Sequence, residues 1–330
     1  NGKDGAYLAK LAIDDGFNVV GVQRPVPKYR TEQIIFRLKE LKIYDRIKFE
    51  TLNLNDIKNS DYLFNKYKPK YFAHLASQIS VSKSFKYKNL TKQENEVISD
   101  NLINSLINKS KDTKLFFPST ATIFEGYKDK IVDENTSPIP LTTYSKTKYN
   151  TQERIENLID KKIIDASIGI MFSHESEFRR SNFFTKTITE FLADYKLNKR
   201  RKLSVGDISL RRDIGYAKEY TEAIFKILKY QKNEKFIVSS NKLTSLEDFI
   251  VSCLNFLEIN FEKVYNDKHI SFVNKKNGKV FISSESTNYR QIDLDGIQGN
   301  NLKINKEIGW KPKVTLEDIC SKMITFPFFL

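Results

Sequence analysis

Short apolar runs alternate with amphipathic stretches through the first half of the chain, and that rhythm restricts the fold more than any other property. The runs are NVVGVQR (18–24), IKFETLNL (47–54), YFAHLA (71–76), KLFFPST (114–120) and ASIGIMFS (166–173). Between them lie segments of helical periodicity such as ENEVISDNLINSLINKS (94–110). Strands separated by helices need crossover connections, which are right-handed and build a parallel sheet. Compact apolar runs suit strands covered on both faces. The expected class is therefore α/β with a doubly wound parallel sheet. Beyond about Asn182 the pattern turns irregular, with helical FTKTITEFLADYK (184–196) and EYTEAIFKILKY (219–230). That half reads as a smaller lobe on the carboxyl edge of the sheet.

Composition removes several classes. At 330 residues and 40% apolar content, one large or two modest domains can bury a core. No apolar run is long enough to span a bilayer, and the polar opening NGKDGAY is no signal peptide. Cys253 and Cys320 are the only cysteines and form no CxxC. The expectation is a reducing, cytoplasmic compartment without a disulfide framework or a metal. The net charge of +14 suits a polyanionic partner such as nucleic acid or a phosphate-bearing ligand. Yet only NKRRK (198–202) is a tight basic cluster, and the lysines are otherwise scattered. A solvated lysine surface explains the charge better, so neither nucleic acid nor a membrane is an expected partner.

Two local patterns carry chemistry. Gly2 and Gly5 directly precede a helical stretch, LAKLAIDDGF. In a doubly wound fold such glycines let backbone N–H groups approach a pyrophosphate at a helix N-terminus. The strand that should precede them is missing, so the chain is read as lacking its first strand. Tyr144 and Lys148, in YSKTK after FFPSTATIFEG, fall one turn apart and share a helix face. By spacing alone a surface pair on an amphipathic helix is the better reading.

These pieces, in order, resemble the GDP-mannose 4,6-dehydratases, a family of extended short-chain dehydrogenase/reductases in the NAD-dependent epimerase/dehydratase superfamily. NGKDGAYL resembles the family's T-G-Q-D-G-S-Y-L turn. The likeness continues through LASQISV, STATIF, TTYSKTK, GIMFSHES and RRSNF, then RRDIGYAKEYTEA, NYRQIDLDGIQGN and EIGWKPKVTLED. It implies a Rossmann-type domain at 1–173 holding NADP, and a mainly nucleotide-sugar-binding lobe at 174–330 with segments returning to the first domain. It places Gly2, Asp4, Gly5, Asn53, Leu54, Leu75, Gln78, His174 and Arg180 at the cofactor. Two residues, Glu177 and Phe178, stand where the family has a single Pro, so Arg179 competes with Arg180. Arg24 ends the second expected strand, where an Arg suits a 2′-phosphate and favours NADP. Asn182, Arg212, Arg290 and Asp293 are implied at a GDP-sugar substrate, with the two arginines on its diphosphate. A homodimer or homotetramer is the implied assembly.

In that setting Tyr144 and Lys148 become catalytic candidates. A buried cation near the phenol would lower its pKa and favour the phenolate. A phenolate can take the proton of a sugar C4 hydroxyl, and Thr120 would hydrogen-bond the same oxygen. Lys148 would also hold the nicotinamide ribose. Dehydration further needs a base for C5 and an acid for the leaving C6 hydroxyl. The family's Glu two residues after the Thr is here Thr122, which cannot act as a base near neutral pH. Glu125 is the nearest carboxylate, on the order of 10 Å of strand away and turned to another face unless the chain bends. Three readings follow. The first is dehydration of a GDP-sugar to its 4-keto-6-deoxy product. The second is C4 oxidoreduction or epimerisation without loss of water, and the third is non-catalytic nucleotide-sugar binding. Ile214 and Tyr216 replace a family Trp and His, so packing there should differ.

Overall fold

The structure, a computed structural model, describes residues 2–25, 28–77, 87–266, 269–285 and 294–326. The first part runs α1 (Lys3–Asp14), β1 (Val19–Gln23), α2 (Lys28–Glu40), β2 (Ile47–Thr51), α3 (Ile57–Tyr67) and β3 (Tyr71–Ala73). It continues with α4 (Lys88–Lys92), a π-helical turn (Gln93–Val97), α5 (Ile98–Lys109), β4 (Lys114–Thr120), a 3-10 turn (Ala121–Phe124) and β5 (Lys130–Val132). Then come α6 (Thr143–Asp160), β6 (Ala166–Met171), β7 (Ser173–Glu175) and α7 (Phe184–Lys196). The remainder is β8 (Leu203–Val205), β9 (Arg211–Tyr216), α8 (Ala217–Lys229), β10 (Lys235–Val238), β11 (Leu243–Ser245) and α9 (Leu246–Phe256). It closes with β12 (Phe261–Asn266), β13 (His269–Asn274), β14 (Lys279–Ser284), β15 (Ile297–Gly299), α10 (Leu302–Ile308) and α11 (Leu316–Thr325).

All five apolar runs contain strands, and every pairing among them is parallel. Among the described residues they form two sheets rather than one: β1–β2, and a four-stranded sheet ordered β3–β4–β6–β10. β4 and β6 are buried along almost their whole length, as strands covered on both faces must be. Helices cover both faces. One cluster joins Phe116, Ile170, Phe236 and Val238 to Tyr220, Ile224 and Trp310. The other joins Leu115, Phe117 and Ile168 to Phe64, Leu102, Leu106 and Ile155. β10 and α8 thus return from the second half to complete the four-stranded sheet and its cover.

A second core lies in the lobe formed by α7, α9, α11 and the sheet β12–β13–β14–β8, around Phe191, Phe249, Phe272, Ile282 and Met323. Asp213 on β9 ties that strand to the segment after β10 and to β15. Its carboxylate accepts from the Ser240 N–H at 2.7 Å, the Ser240 hydroxyl at 2.6 Å, and the Asn241 and Gly299 N–H groups at 3.1 Å each. Near the C-terminus, Trp310 donates its indole N–H to the Glu219 carbonyl, and the Glu219 carboxylate accepts from the Lys313 and Val314 N–H groups. No helix of the described residues is long and apolar enough to cross a membrane.

Candidate active site

Tyr144 owes its position to how α6 begins. Thr142 caps the helix and forms a capping box with Ser145, so the first turn is fixed at both ends. Tyr144, Lys148, Thr151 and Ile155 recur at helical spacing on the buried face, which packs against β4 and β6. Tyr144 and Lys148 are therefore interior groups and not a surface pair, at 8% and 5% exposure. β4 ends at Thr120, whose hydroxyl meets that of Thr122 at 3.1 Å and acts on the Tyr144 phenol through a hydrogen bond. Thr120, Thr122 and Tyr144 therefore converge.

The electrostatics differ from the expectation. Burial raises the Tyr144 pKa above that of a free phenol, while the Thr120 hydrogen bond and the Arg179 guanidinium pull against it. A cation acting on the phenol is Arg179, from the loop after β7. Burial pushes the Lys148 ammonium down to about 7, and it sits 4.4 Å from the centroid of the Phe117 ring. It also helps keep His74, itself desolvated, down at about 3.

Around the N-terminus of α1 lies a second charged group. Gly2 precedes the helix without a side-chain cap, and a methyl group there would meet nothing within 4 Å. One at Gly5 would touch only Leu75, at 3.8 Å, so Gly5 and Leu75 line the same space. Asp4 receives Lys3 at 2.6 Å and His174 Nε2 at 3.2 Å. Burial would raise the Asp4 pKa, but these two partners outweigh it and hold the carboxyl well below the usual range. His174 is oriented by the Phe172 carbonyl, 2.6 Å from Nδ1, and stacks on Tyr220 with centroids 4.9 Å apart. Arg179 meets Glu175 at 3.0 Å without hydrogen-bond alignment, and its guanidinium lies 3.7 Å over the Phe183 ring. An open, glycine-lined helix N-terminus flanked by Lys3, His174 and Arg179 fits a dinucleotide pyrophosphate.

The other candidates are more dispersed. Arg24, beyond the end of β1, is ion-paired with Glu94. Asn53 holds the loop after β2 through Asn55, and Leu54 is buried beside it. Arg180 is exposed and acts on buried Arg37, whereas Arg179 turns toward Tyr144 and Lys3. Asn182 is exposed in the turn before α7. Arg212 on β9 is half-buried and donates to the Arg211 carbonyl. Gln78, Arg290 and Asp293 lie outside the described residues.

Glu125 reverses its expectation. The chain does bend, through the 3-10 turn, and returns the carboxylate toward α6. There it is filled by donors: the Leu141 N–H at 2.7 Å, the Thr142 N–H and the Ser145 hydroxyl. Two departures from the family pattern also meet, since the Tyr216 hydroxyl donates to the Glu177 carboxylate at 3.1 and 3.2 Å. Lys3 and Glu175 were not singled out from the sequence. For Lys3 a signal existed, its place between the two glycines at a helix start.

The family model described as GDP-mannose 4,6 dehydratase matches residues 1–323. The chain is 27% identical to the human GDP-mannose 4,6 dehydratase, across 98% of this chain and 88% of that protein. It is 25% identical to the Vibrio cholerae GDP-mannose 4,6-dehydratase, across 98% and 90%. Among solved structures, UDP-glucose 4-epimerase from Thermotoga maritima with UDP-glucose is similar, with a TM-score of 0.78 at 18% identity over 98% of this chain and 95% of that one. RMD from Pseudomonas aeruginosa complexed with NADPH gives 0.73 at 16% identity, over 92% and 97%. These likenesses establish a Rossmann-type α/β fold.

Proposed function

The chain belongs to the GDP-mannose 4,6-dehydratase family, and from that premise we propose that it oxidises a GDP-sugar such as GDP-mannose at C4 and then eliminates water to give the 4-keto-6-deoxy sugar. The observation that carries this reading is the buried convergence of Thr120 and Tyr144, with Lys148 buried one turn along the same helix, in a chain matched along almost its whole length. Tyr144 accepts the proton of the C4 hydroxyl, and Thr120 holds that oxygen. Burial alone disfavours the phenolate, so Arg179 and the Thr120 hydrogen bond work to lower its cost. Lys148 holds the nicotinamide ribose and can shed its proton near neutrality, being pushed down to about 7.

NADP is the proposed cofactor, and the nicotinamide supplies hydride acceptance and return. Gly2, Asp4, Gly5, Asn53, Leu54, Leu75, Gln78, His174 and Arg180 are its proposed contacts, with Lys3 and Arg179 added by their position. Arg24 is the proposed partner of the 2′-phosphate, exchanging Glu94 for it. Asn182, Arg212, Arg290 and Asp293 are the proposed substrate contacts, and a homodimer or homotetramer the proposed assembly.

One observation favours a second reading, C4 oxidoreduction or epimerisation without loss of water. Thr122 stands where the family carries its Glu, and the Glu125 carboxylate is taken up by the start of α6. Incubation with GDP-mannose and NADP in deuterated water separates the two. Dehydration is expected to remove the C6 oxygen and to place solvent deuterium at C5, while C6 receives the hydride taken from C4. A product altered at C4 with its C6 oxygen intact establishes the second reading instead. Absence of turnover with retained GDP-mannose binding establishes a non-catalytic binder.

A further inference from the structure

Buried carboxylates are costly unless donors meet them. Glu125 is buried immediately after the 3-10 turn that leads away from Thr120 and Thr122. Its Oε1 accepts the Leu141 N–H at 2.7 Å, the Thr142 N–H and the Ser145 hydroxyl, and its Oε2 meets the Thr142 hydroxyl at 3.4 Å. Those groups are the N-cap of α6, the residue before it and the third residue of its first turn. The capping box closes the same turn, with the Ser145 N–H on the Thr142 hydroxyl at 3.2 Å and the Thr142 N–H on the Ser145 hydroxyl at 3.1 Å. An anion at a helix N-terminus is also favoured by the helix dipole. Tyr144 lies between Thr142 and Ser145 in sequence, so a turn held on both sides leaves its backbone little freedom.

We propose that Glu125 is a positioning residue for Tyr144, its buried carboxylate clamping the first turn of α6 and presenting a fixed negative charge beside the phenol. This rests on the proposed role of Tyr144. The charged groups acting on that phenol come from different elements: Glu125 after the 3-10 turn raises its proton affinity, and Arg179 after β7 lowers it. Lys148, one turn along α6, faces Phe117. Glu125 and Arg179 thus act on the phenol in opposite directions, Glu125 favouring its neutral form and Arg179 the phenolate that would accept the C4 proton. With three donors on one oxygen, Glu125 is a clamp and not a replacement for the base that Thr122 displaced.

Two variants and two measurements decide this. Tyrosines labelled with 13C at Cζ report each phenol's titration by NMR, and Tyr144→Phe assigns the Tyr144 signal. In Glu125→Gln, which keeps an acceptor oxygen toward Leu141 and Thr142 but loses the charge, the Tyr144 titration is expected to move to lower pH. In Glu125→Ala, hydrogen exchange at the Leu141 and Thr142 amides is expected to quicken about tenfold or more. Faster exchange with an unmoved titration leaves a purely structural cap and overturns the proposal. A moved titration with unchanged exchange removes the clamp and overturns it too. Should Glu125→Ala not fold, the titration of Glu125→Gln decides alone. The titration needs no turnover, so it stands apart from the proposed function. That reading fails separately if Tyr144→Phe retains C4 oxidation.

Discussion

A lysine sealed from water is a liability to a fold, and buried Lys148 carries that liability. Its folded pKa is lowered to about 7 by burial, against 10.5 for the free side chain. Below pH 7 the ammonium is charged in both states and its desolvation cost is fully present. Between 7 and 10.5 the unfolded chain binds more protons than the folded one, so stability rises with pH. Lys148→Met is therefore expected to stabilise the protein by ~1–4 kcal/mol below pH 7, where a buried charge is traded for apolar volume. The gain should fade toward pH 10.5, as thermal unfolding across pH would show, while C4 oxidation is lost. A variant that is less stable at pH 6 would mean that the ammonium has a compensating partner. The sequence made Tyr144 and Lys148 legible as a pair, since helical spacing depends only on their separation. It did not make legible which cation acts on the phenol. That depends on the loop after β7 folding back, and a two-residue departure from the family pattern had left Arg179 and Arg180 indistinguishable. Nor could spacing show that Glu125 is spent on an N-cap.

Elements carry the site through close approach. The His174 ring lies on Tyr220, and Tyr220 meets Trp310 edge-on at 5.7 Å, so the C-terminal segment buttresses the candidate cofactor site from behind. Gly215 in β9 makes room for this stack. A methyl group there would lie 2.2 Å from Tyr220 Cε2 and 2.6 Å from its hydroxyl oxygen. Tyr220 is fully buried and cannot step aside. Gly215→Ala should destabilise by about 1–3 kcal/mol, the range for overpacking a filled core. It should also weaken nicotinamide dinucleotide binding, because the displaced ring is the one that supports His174. Urea unfolding and a binding titration check the two parts, and unchanged stability would remove Tyr220 as a rigid support. The strands were legible because apolar runs covered on both faces admit few alternatives. β4 and α7 fall at the expected residues, and the other strands begin within a residue of them. The division of the parallel strands into β1–β2 and β3–β4–β6–β10 was not legible as a pairing pattern. Hydrogen-bonded neighbours are set by tertiary order, on which local periodicity is silent.

At the scale of the molecule, two buried titrations of opposite sign meet near neutral pH. Asp213 gathers four donors from two segments of chain, yet burial dominates and raises its pKa to about 6 from 3.8. A raised carboxyl pKa contributes stability that is fully present below 3.8 and lost as pH climbs through 6. Lys148 runs the other way, its cost in force below 7 and relieved toward 10.5. Between about pH 6 and 7 both costs act together. The stability of the wild type relative to an Asp213→Asn, Lys148→Met double variant should therefore trace a trough over that interval. Asp213→Asn alone should abolish the acid limb, and Lys148→Met alone the alkaline limb. Asn also offers an N–H where Asp213 accepts, so the Asp213→Asn curve should sit lower throughout, by about 1–3 kcal/mol for the unsatisfied donors left behind. Thermal unfolding of the four proteins from pH 4 to pH 10 reads both shape and offset. A monotonic difference curve would show that one of the two groups is solvated in the native state, and the variant whose limb is missing identifies which. A fold that keeps both groups buried pays near neutrality for two different ends: Asp213 ties β9 to the segment after β10 and to β15, while Lys148 serves the proposed chemistry.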